Sequence, residues 1–173
     1  MSLPAPYWKV PSECSPDELA AFAACVREGG EVVSGGLDEL IQNATRLVFC
    51  QNEAGLLGVA AIKSPRESCR FKISRKANVP LARDNWPHEL GWVFVVPAAR
   101  GKGLSKRLVA CATETLDGAV FATSRTDNDF MHATLRGVGF VAIGDAYKSD
   151  KGGHSLQLFA LDAKAKVPAA ATV

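Results

Sequence analysis

Several signatures are missing from this chain, and each absence narrows the chemistry open to it. No two cysteines form a C-x-x-C pair. The five, at positions 14, 25, 50, 69 and 111, are odd in number and scattered, which argues against a disulfide framework or a zinc site and for buried, reduced thiols. No uninterrupted run of about 18 apolar residues occurs, as a membrane-spanning helix would need. The first ten residues, MSLPAPYWKV, lack the basic-then-apolar order of a secretory signal, so a cytoplasmic location is expected. Net charge is small too: 20 basic residues against 18 acidic ones leave a formal charge of +2, too small for composition to imply a nucleic-acid partner. Nucleotide fingerprints also fail. There is no G-x-x-x-x-G-K-[ST] P-loop, and G-x-G-x-x-G breaks because Lys106 stands at the third glycine position after Gly101 and Gly103.

What is present suffices for one compact domain. With 173 residues, 47% hydrophobic and 22% charged, the chain can bury a core without disulfides or metal, and a single domain over 1–163 with a frayed tail at 164–173 is expected. The most informative stretch is Val95 to Leu108, VVPAARGKGLSKRL, where an apolar strand enters a glycine-punctuated basic turn and then a helix. Gly101 and Gly103 allow a sharp turn and close approach to a ligand. The first amides of the following helix have no acceptors within it, and its dipole favours negative charge there. Arg100, Lys102, Lys106 and Arg107 surround this anion site with positive charge. The pattern Arg100-x-x-Gly103-x-Ser105 after the strand Glu89 to Val96 resembles the R-x-x-G-x-G/A coenzyme A motif of the GNAT acetyltransferase superfamily, with Ser105 departing at the last position.

A second resemblance lies downstream. The strand-like Ala119 to Ser124 is followed by Asn128, a helical stretch and Gly139-Phe140, similar to the superfamily's N-x-x-A-x-x-L-Y-x-K-x-G-F ending. The likeness covers Glu89 to Leu161, while the N-terminal half agrees in general layout. It implies an α/β (α+β) GNAT fold: a central mixed, mostly antiparallel sheet of about 6–7 strands, splayed between the fourth and fifth, with about four helices. It also implies acetyl-CoA as cosubstrate, held by Val95, Val96, Arg100, Gly101, Lys102, Gly103, Leu104, Ser105, Lys106 and Asn128, with no metal.

Local signals set the expected elements. Ser15-Pro16-Asp17-Glu18 opens a helix with an N-cap, a first-position proline and acids in the first turn, and Gly29-Gly30 ends it. A second helix follows Gly35-Gly36. Arg46 to Gln51 and Leu56 to Ile62 read as strands joined by a turn at Asn52-Glu53-Ala54-Gly55. Between Lys63 and Arg83, seven basic residues face a single acid, Glu67. There Cys69, Phe71 and Ile73 alternate with Arg70, Lys72 and Ser74, which suggests an extra strand. This segment reads as a solvated face, or as a lid or dimer arm meeting an acidic substrate, the coenzyme's phosphates or nucleic acid. Leu104, Leu108, Ala112 and Leu116 form a core-facing helical stripe. Met131, Leu135 and Val138 face inward on a helix from Asn128 to Val138, and Phe140 to Tyr147 and His154 to Leu161 complete the strands.

Acetyl transfer to an alkyl amine needs a proton acceptor, because an amine of pKa ~10.4 is almost wholly protonated at neutral pH. Glu89 matches in position the glutamate that serves as general base in some superfamily members, with His88 in reserve. Leu135 stands where many members carry a tyrosine that protonates the leaving thiolate, and Tyr147, Ser124 or a water are substitutes. A backbone N–H at Val95 or Val96 would meet the oxyanion. Asn128 reads both as a pantetheine contact and as a helix cap. Arg125 reads as a surface ion pair or an acceptor contact, and Cys111 as a packed thiol. Three functions stay open: an N-acetyltransferase acting on an unidentified amine, a non-catalytic acyl-CoA sensor, and a nucleic-acid-directed or tRNA-directed enzyme using residues 63–83. A homodimer is compatible with each.

Overall fold

A computed structural model describes residues 2–30 and 35–162, so the expected tail at 164–173 lies outside the described residues. The chain divides into two compact units, one built from residues 1–64 and 90–113, the other from 65–89 and 114–173. Among the described residues the strands follow the hydrogen-bonded order β1-β2-β3-β4-β5-β7-β6, the mixed, seven-stranded sheet that the resemblance implied. Strand β4 (His88–Val95) contributes its first two residues to the second unit and the remainder to the first.

In the first unit, β1 (Tyr7–Lys9), β2 (Arg46–Asn52) and β3 (Gly55–Lys63) run antiparallel. Helix α1 (Pro16–Glu28) begins as its sequence directs. The Ser15 hydroxyl accepts from Glu18 N–H at 3.1 Å and the Glu18 carboxylate accepts from Ser15 N–H at 2.8 Å, a reciprocal cap that satisfies two orphan amides. With α2 (Leu37–Gln42) it lays Phe22, Val26, Leu37 and Ile41 on Leu47, Phe49, Val59 and Ala61. Helix α4 (Leu104–Thr113) packs against β2 and β3 as well. At Gly58 its approach is so close that a Cβ would stand 2.8 Å from Leu108 Cδ1 and 2.9 Å from the Phe94 carbonyl oxygen. Strand β3 therefore reads as an almost unbroken apolar run.

The second unit holds α3 (Glu67–Ala77), β5 (Val120–Arg125), α5 (Asp129–Val138), β6 (Val141–Lys148) and β7 (Ser155–Leu161). Strands β5 and β6 each pair antiparallel with β7, and the start of β4 pairs parallel with β5, His88 to Val120 and Glu89 to Phe121. The core here joins Ala77, Leu81, Phe121 and Leu158 with Ile73, Val79, Trp86, Ile143 and Tyr147.

One expected element is corrected. The residues read as an extra strand form α3, because the pattern that decides is helical: Arg70, Ile73, Ser74 and Ala77 share one face at spacings of three and four, while Phe71 and Cys69 are exposed. Asn78, left-handed at φ 56°, closes that helix. Nor is this basic segment simply a solvated face, since Arg70 is 2% exposed. The stripe Leu104, Leu108, Ala112 is buried as expected, but α4 ends at Thr113, before Leu116.

Candidate active site

The basic turn in the first unit has the backbone its glycines allow. Gly101 and Gly103 lie at φ 75° and 72°, and a Cβ on either would meet no atom within 4 Å. Backbone conformation, not space, requires glycine there. Arg107 N–H donates to Gly103 O at 3.3 Å as the helix begins, so the amides of Leu104 and Lys106 belong to the first turn, where helical geometry provides no acceptor. Leu104 and Ser105 are buried and Gly101, Lys102, Gly103 and Lys106 exposed, so the turn stands in solvent on an anchored base. Two of the four expected cations are engaged elsewhere. Arg107 donates to the carbonyls of Pro4 at 2.9 Å and Leu3 at 3.4 Å. Arg100 folds back, its Nε donating to Val95 O at 2.9 Å and its guanidinium 5.8 Å from the Phe94 ring centre.

Strand β4 carries an irregularity that ends simple alternation. Trp92 is left-handed at φ 53°, a costly conformation for a bulky side chain. It packs edge-on against Phe22, and Lys63 Nζ lies 5.3 Å from its ring centre. Gly91 precedes it because the Lys63 stem crosses that position, where a Cβ would meet Lys63 Cε at 2.8 Å. Beyond Trp92, Val96 N–H already donates to Leu57 O at 3.0 Å. Of the two expected backbone contacts, Val96 has therefore spent its donor on the carbonyl of Leu57 in β3.

In the second unit Glu89 is 9% exposed and faces Phe121 in register. His88 is tied down through a 2.6 Å hydrogen bond between Nε2 and the carbonyl oxygen of Asp117. Arg70 donates from Nη1 to Trp86 O and from Nη2 to Pro87 O at 2.8 Å. Burial pulls its guanidinium below its ordinary pKa, with Glu67 and Glu89 opposing that shift and Arg83 adding to it. Tyr147 is pushed up to about 12, chiefly by burial and then by Glu89 and Asp150, so its hydroxyl stays protonated at neutral pH. Asp150 in turn bridges Lys76 at 2.5 Å and Lys72 at 3.1 Å.

Asn128 caps α5: its Oδ1 accepts from Met131 N–H at 3.0 Å. Leu135 is buried at 1% exposure, while Met131 and Val138 are only partly covered. Two groups escaped the sequence reading. His132 is buried, hydrogen-bonded through Nε2 to Arg125 O at 2.9 Å and packed on Phe159 at 4.8 Å between ring centres. Its spacing of three from the inward-facing Leu135 was the available signal. Arg70 was read only as one of the seven cations of the basic segment. Ser124, named as a substitute acid, is 6% exposed and its hydroxyl has no hydrogen-bond partner.

Cys25, Cys50 and Cys111 are buried as expected, with burial raising the Cys25 and Cys50 thiols above their ordinary pKa, whereas Cys69 is exposed on α3. Among the described residues no group of three or more His, Cys, Asp or Glu side chains could hold a metal, and no helix is long and apolar enough to cross a membrane.

Solved structures share this fold. An acyl-CoA N-acyltransferase from Pseudomonas aeruginosa matches with a TM-score of 0.67 at 19% identity, covering 92% of this chain and 99% of that one. A GNAT-family acetyltransferase from Streptococcus agalactiae matches with a TM-score of 0.66 at 15% identity, over 94% and 98%. A ribosomal-protein-alanine N-acetyltransferase from Brucella melitensis matches with a TM-score of 0.60 at 16% identity, over 90% and 98%. No curated protein matches the sequence itself. Residues 7–140 match the profile described as the Acetyltransferase (GNAT) family, most of the chain including the basic turn and β4. The chain belongs to the GNAT acetyltransferase family.

Proposed function

We propose that this protein is an acetyl-CoA-dependent N-acetyltransferase that moves the acetyl group to an acceptor amine by direct attack in a ternary complex. The observation that carries this reading is the turn Arg100 to Gly103: two left-handed glycines deliver the start of α4 to solvent between exposed Lys102 and Lys106. That arrangement suits the coenzyme's phosphates. Arg100 and Arg107 serve the same turn indirectly by holding the end of β4 and the start of α4.

In the reaction the amine nitrogen forms a bond to the thioester carbonyl carbon, its proton passes to Glu89 directly or through a water, and the carbon–sulfur bond breaks to release the coenzyme thiolate. With the Val96 amide engaged by Leu57, the oxyanion donor falls to Val95. Tyr147 is a poor proton source for the thiolate. Transfer from a group near 12 to a thiolate of pKa ~8.5 is uphill by roughly 5 kcal/mol. The thiolate leaves as the anion, or takes its proton from solvent, and Leu135 at the family's tyrosine position is then tolerated. Asn128 can still offer its amide group to the pantetheine arm while its oxygen caps α5.

Leu135 favours the second reading, a coenzyme-binding sensor without turnover. Calorimetric titration with acetyl-CoA separates these from a vestigial motif. The wild type is expected to bind and Gly103→Glu to lose binding, through added bulk and negative charge at the turn. Folded wild type that binds nothing refutes both readings, and binding without turnover across an amine panel selects the sensor.

A further inference from the structure

We infer that Arg70 is a positioning residue for Glu89, a clamp supplied by the helix inserted between β3 and β4. This rests on the reading of Glu89 as the base. Arg70 is the most buried charged side chain among the described residues, 2% exposed, and removing a guanidinium from water is costly unless its donors are met. Its two terminal nitrogens are met by the carbonyl oxygens of Trp86 and Pro87, three and two residues ahead of Glu89, while Nε makes no hydrogen bond and has the Glu67 carboxylate at 3.9 Å. The planar fork meets the two successive carbonyls with two separate nitrogens held in fixed geometry, where a lysine would have to reach both from one ammonium.

The chain entering β4 needs such a hold. Pro87 has no amide to give, and Trp86 N–H is spent on a local turn to Ala82 O at 2.9 Å. The other constraints converge on the same residues. Gly118 packs against the Pro87 ring, His88 is bonded to Asp117, and β5 meets the strand at His88 and Glu89. On its other side the Arg70 guanidinium lies 5.7 Å from the ring centre of Phe121, the residue paired with Glu89. The clamp thus grips both the strand that carries Glu89 and the strand beside it. Charged groups around it are Glu67 on the same helix, Arg83 in the following loop and Glu89 on β4, with Tyr147 on β6 next to Glu89 and Asp150 in turn.

Hydrogen exchange by NMR on the full chain tests this, comparing wild type with Arg70→Lys and Arg70→Gln. Expected are a cooperative melt, acetyl-CoA affinity within about twofold of wild type, and exchange at least about tenfold faster at Glu89 and Phe121 with Leu158 and Phe159 unaffected. Guanidinium ion added at low concentration to Arg70→Gln should restore part of the protection. Unchanged exchange at Glu89, or uniform acceleration through the second unit, overturns the proposal by leaving Arg70 with no role or a merely stabilising one. Should neither variant fold, the wild type decides. Guanidinium protons held on two carbonyls exchange slowly and give resolved signals, and fast exchange at Arg70 refutes the clamp. None of these readouts involves turnover, so full activity in Glu89→Gln would remove the base and leave the clamp standing.

Discussion

Glu89 lies directly opposite Phe121 in the parallel register of β4 and β5, so the proposed base is carried on a strand beside a fully buried residue instead of on a loop. Glu89→Gln preserves shape and removes the basic oxygen. We expect turnover at neutral pH to fall by ~10²–10⁴-fold, with partial recovery in alkaline buffer where the amine arrives unprotonated. Acetyl-CoA affinity should hold. Steady-state kinetics across pH check this, and unchanged turnover removes Glu89 from the mechanism.

Tyr147 links the same region to alkaline stability. In the folded chain its pKa is about 12 against an ordinary 10.0, and burial raises Tyr7 in the same direction. Between those values the folded state binds more protons than the unfolded state, so stability falls as pH rises from about 10 to 12. Thermal melts through that range and absorbance at the tyrosinate band follow it. Tyr147→Phe should abolish the highest-pH titration step. A native protein in which both tyrosines titrate near 10 contradicts the packing described for β6.

Ser124 invites the opposite kind of substitution. Its buried hydroxyl has no hydrogen-bond partner, and an unsatisfied buried polar group costs about 1–3 kcal/mol. Ser124→Ala should therefore leave the melting temperature unchanged or raise it. A drop of several degrees would mean that the hydroxyl is bonded after all.

Gly144 is the sharpest steric constraint in the second unit. At φ 68° it sits where a Cβ would overlap the Ala77 carbonyl oxygen and Val79 Cγ2, at the end of α3. Gly144→Ala should cost about 3 kcal/mol or more, from left-handed strain plus forced displacement of packed atoms. Urea denaturation measures it against Gly153→Ala, whose Cβ would meet nothing within 4 Å. Equal midpoints for the two variants would contradict the contact between α3 and β6.

Features set by a few neighbouring residues were legible in the sequence itself. The Ser15–Glu18 cap, the hairpin before Gly55, the left-handed glycines of the basic turn and the apolar stripe of α4 each follow from local φ preference, capping chemistry or spacing. Tertiary structure decided what depends on residues far apart. Alternation at Cys69, Phe71 and Ile73 matched a strand as well as a helix, until packing of Ile73 and Ala77 with Phe121 and Leu158 chose the helical face. The sequence put Arg70 in a basic segment and Arg107 beside the anion site, yet one closes on Trp86 and Pro87 and the other on Pro4. Val95 and Val96 were equivalent donors until Leu57 took the Val96 amide. A side chain's charge is written in its residue type, but its partner and its exposure are settled only when the chain brings distant carbonyls within reach.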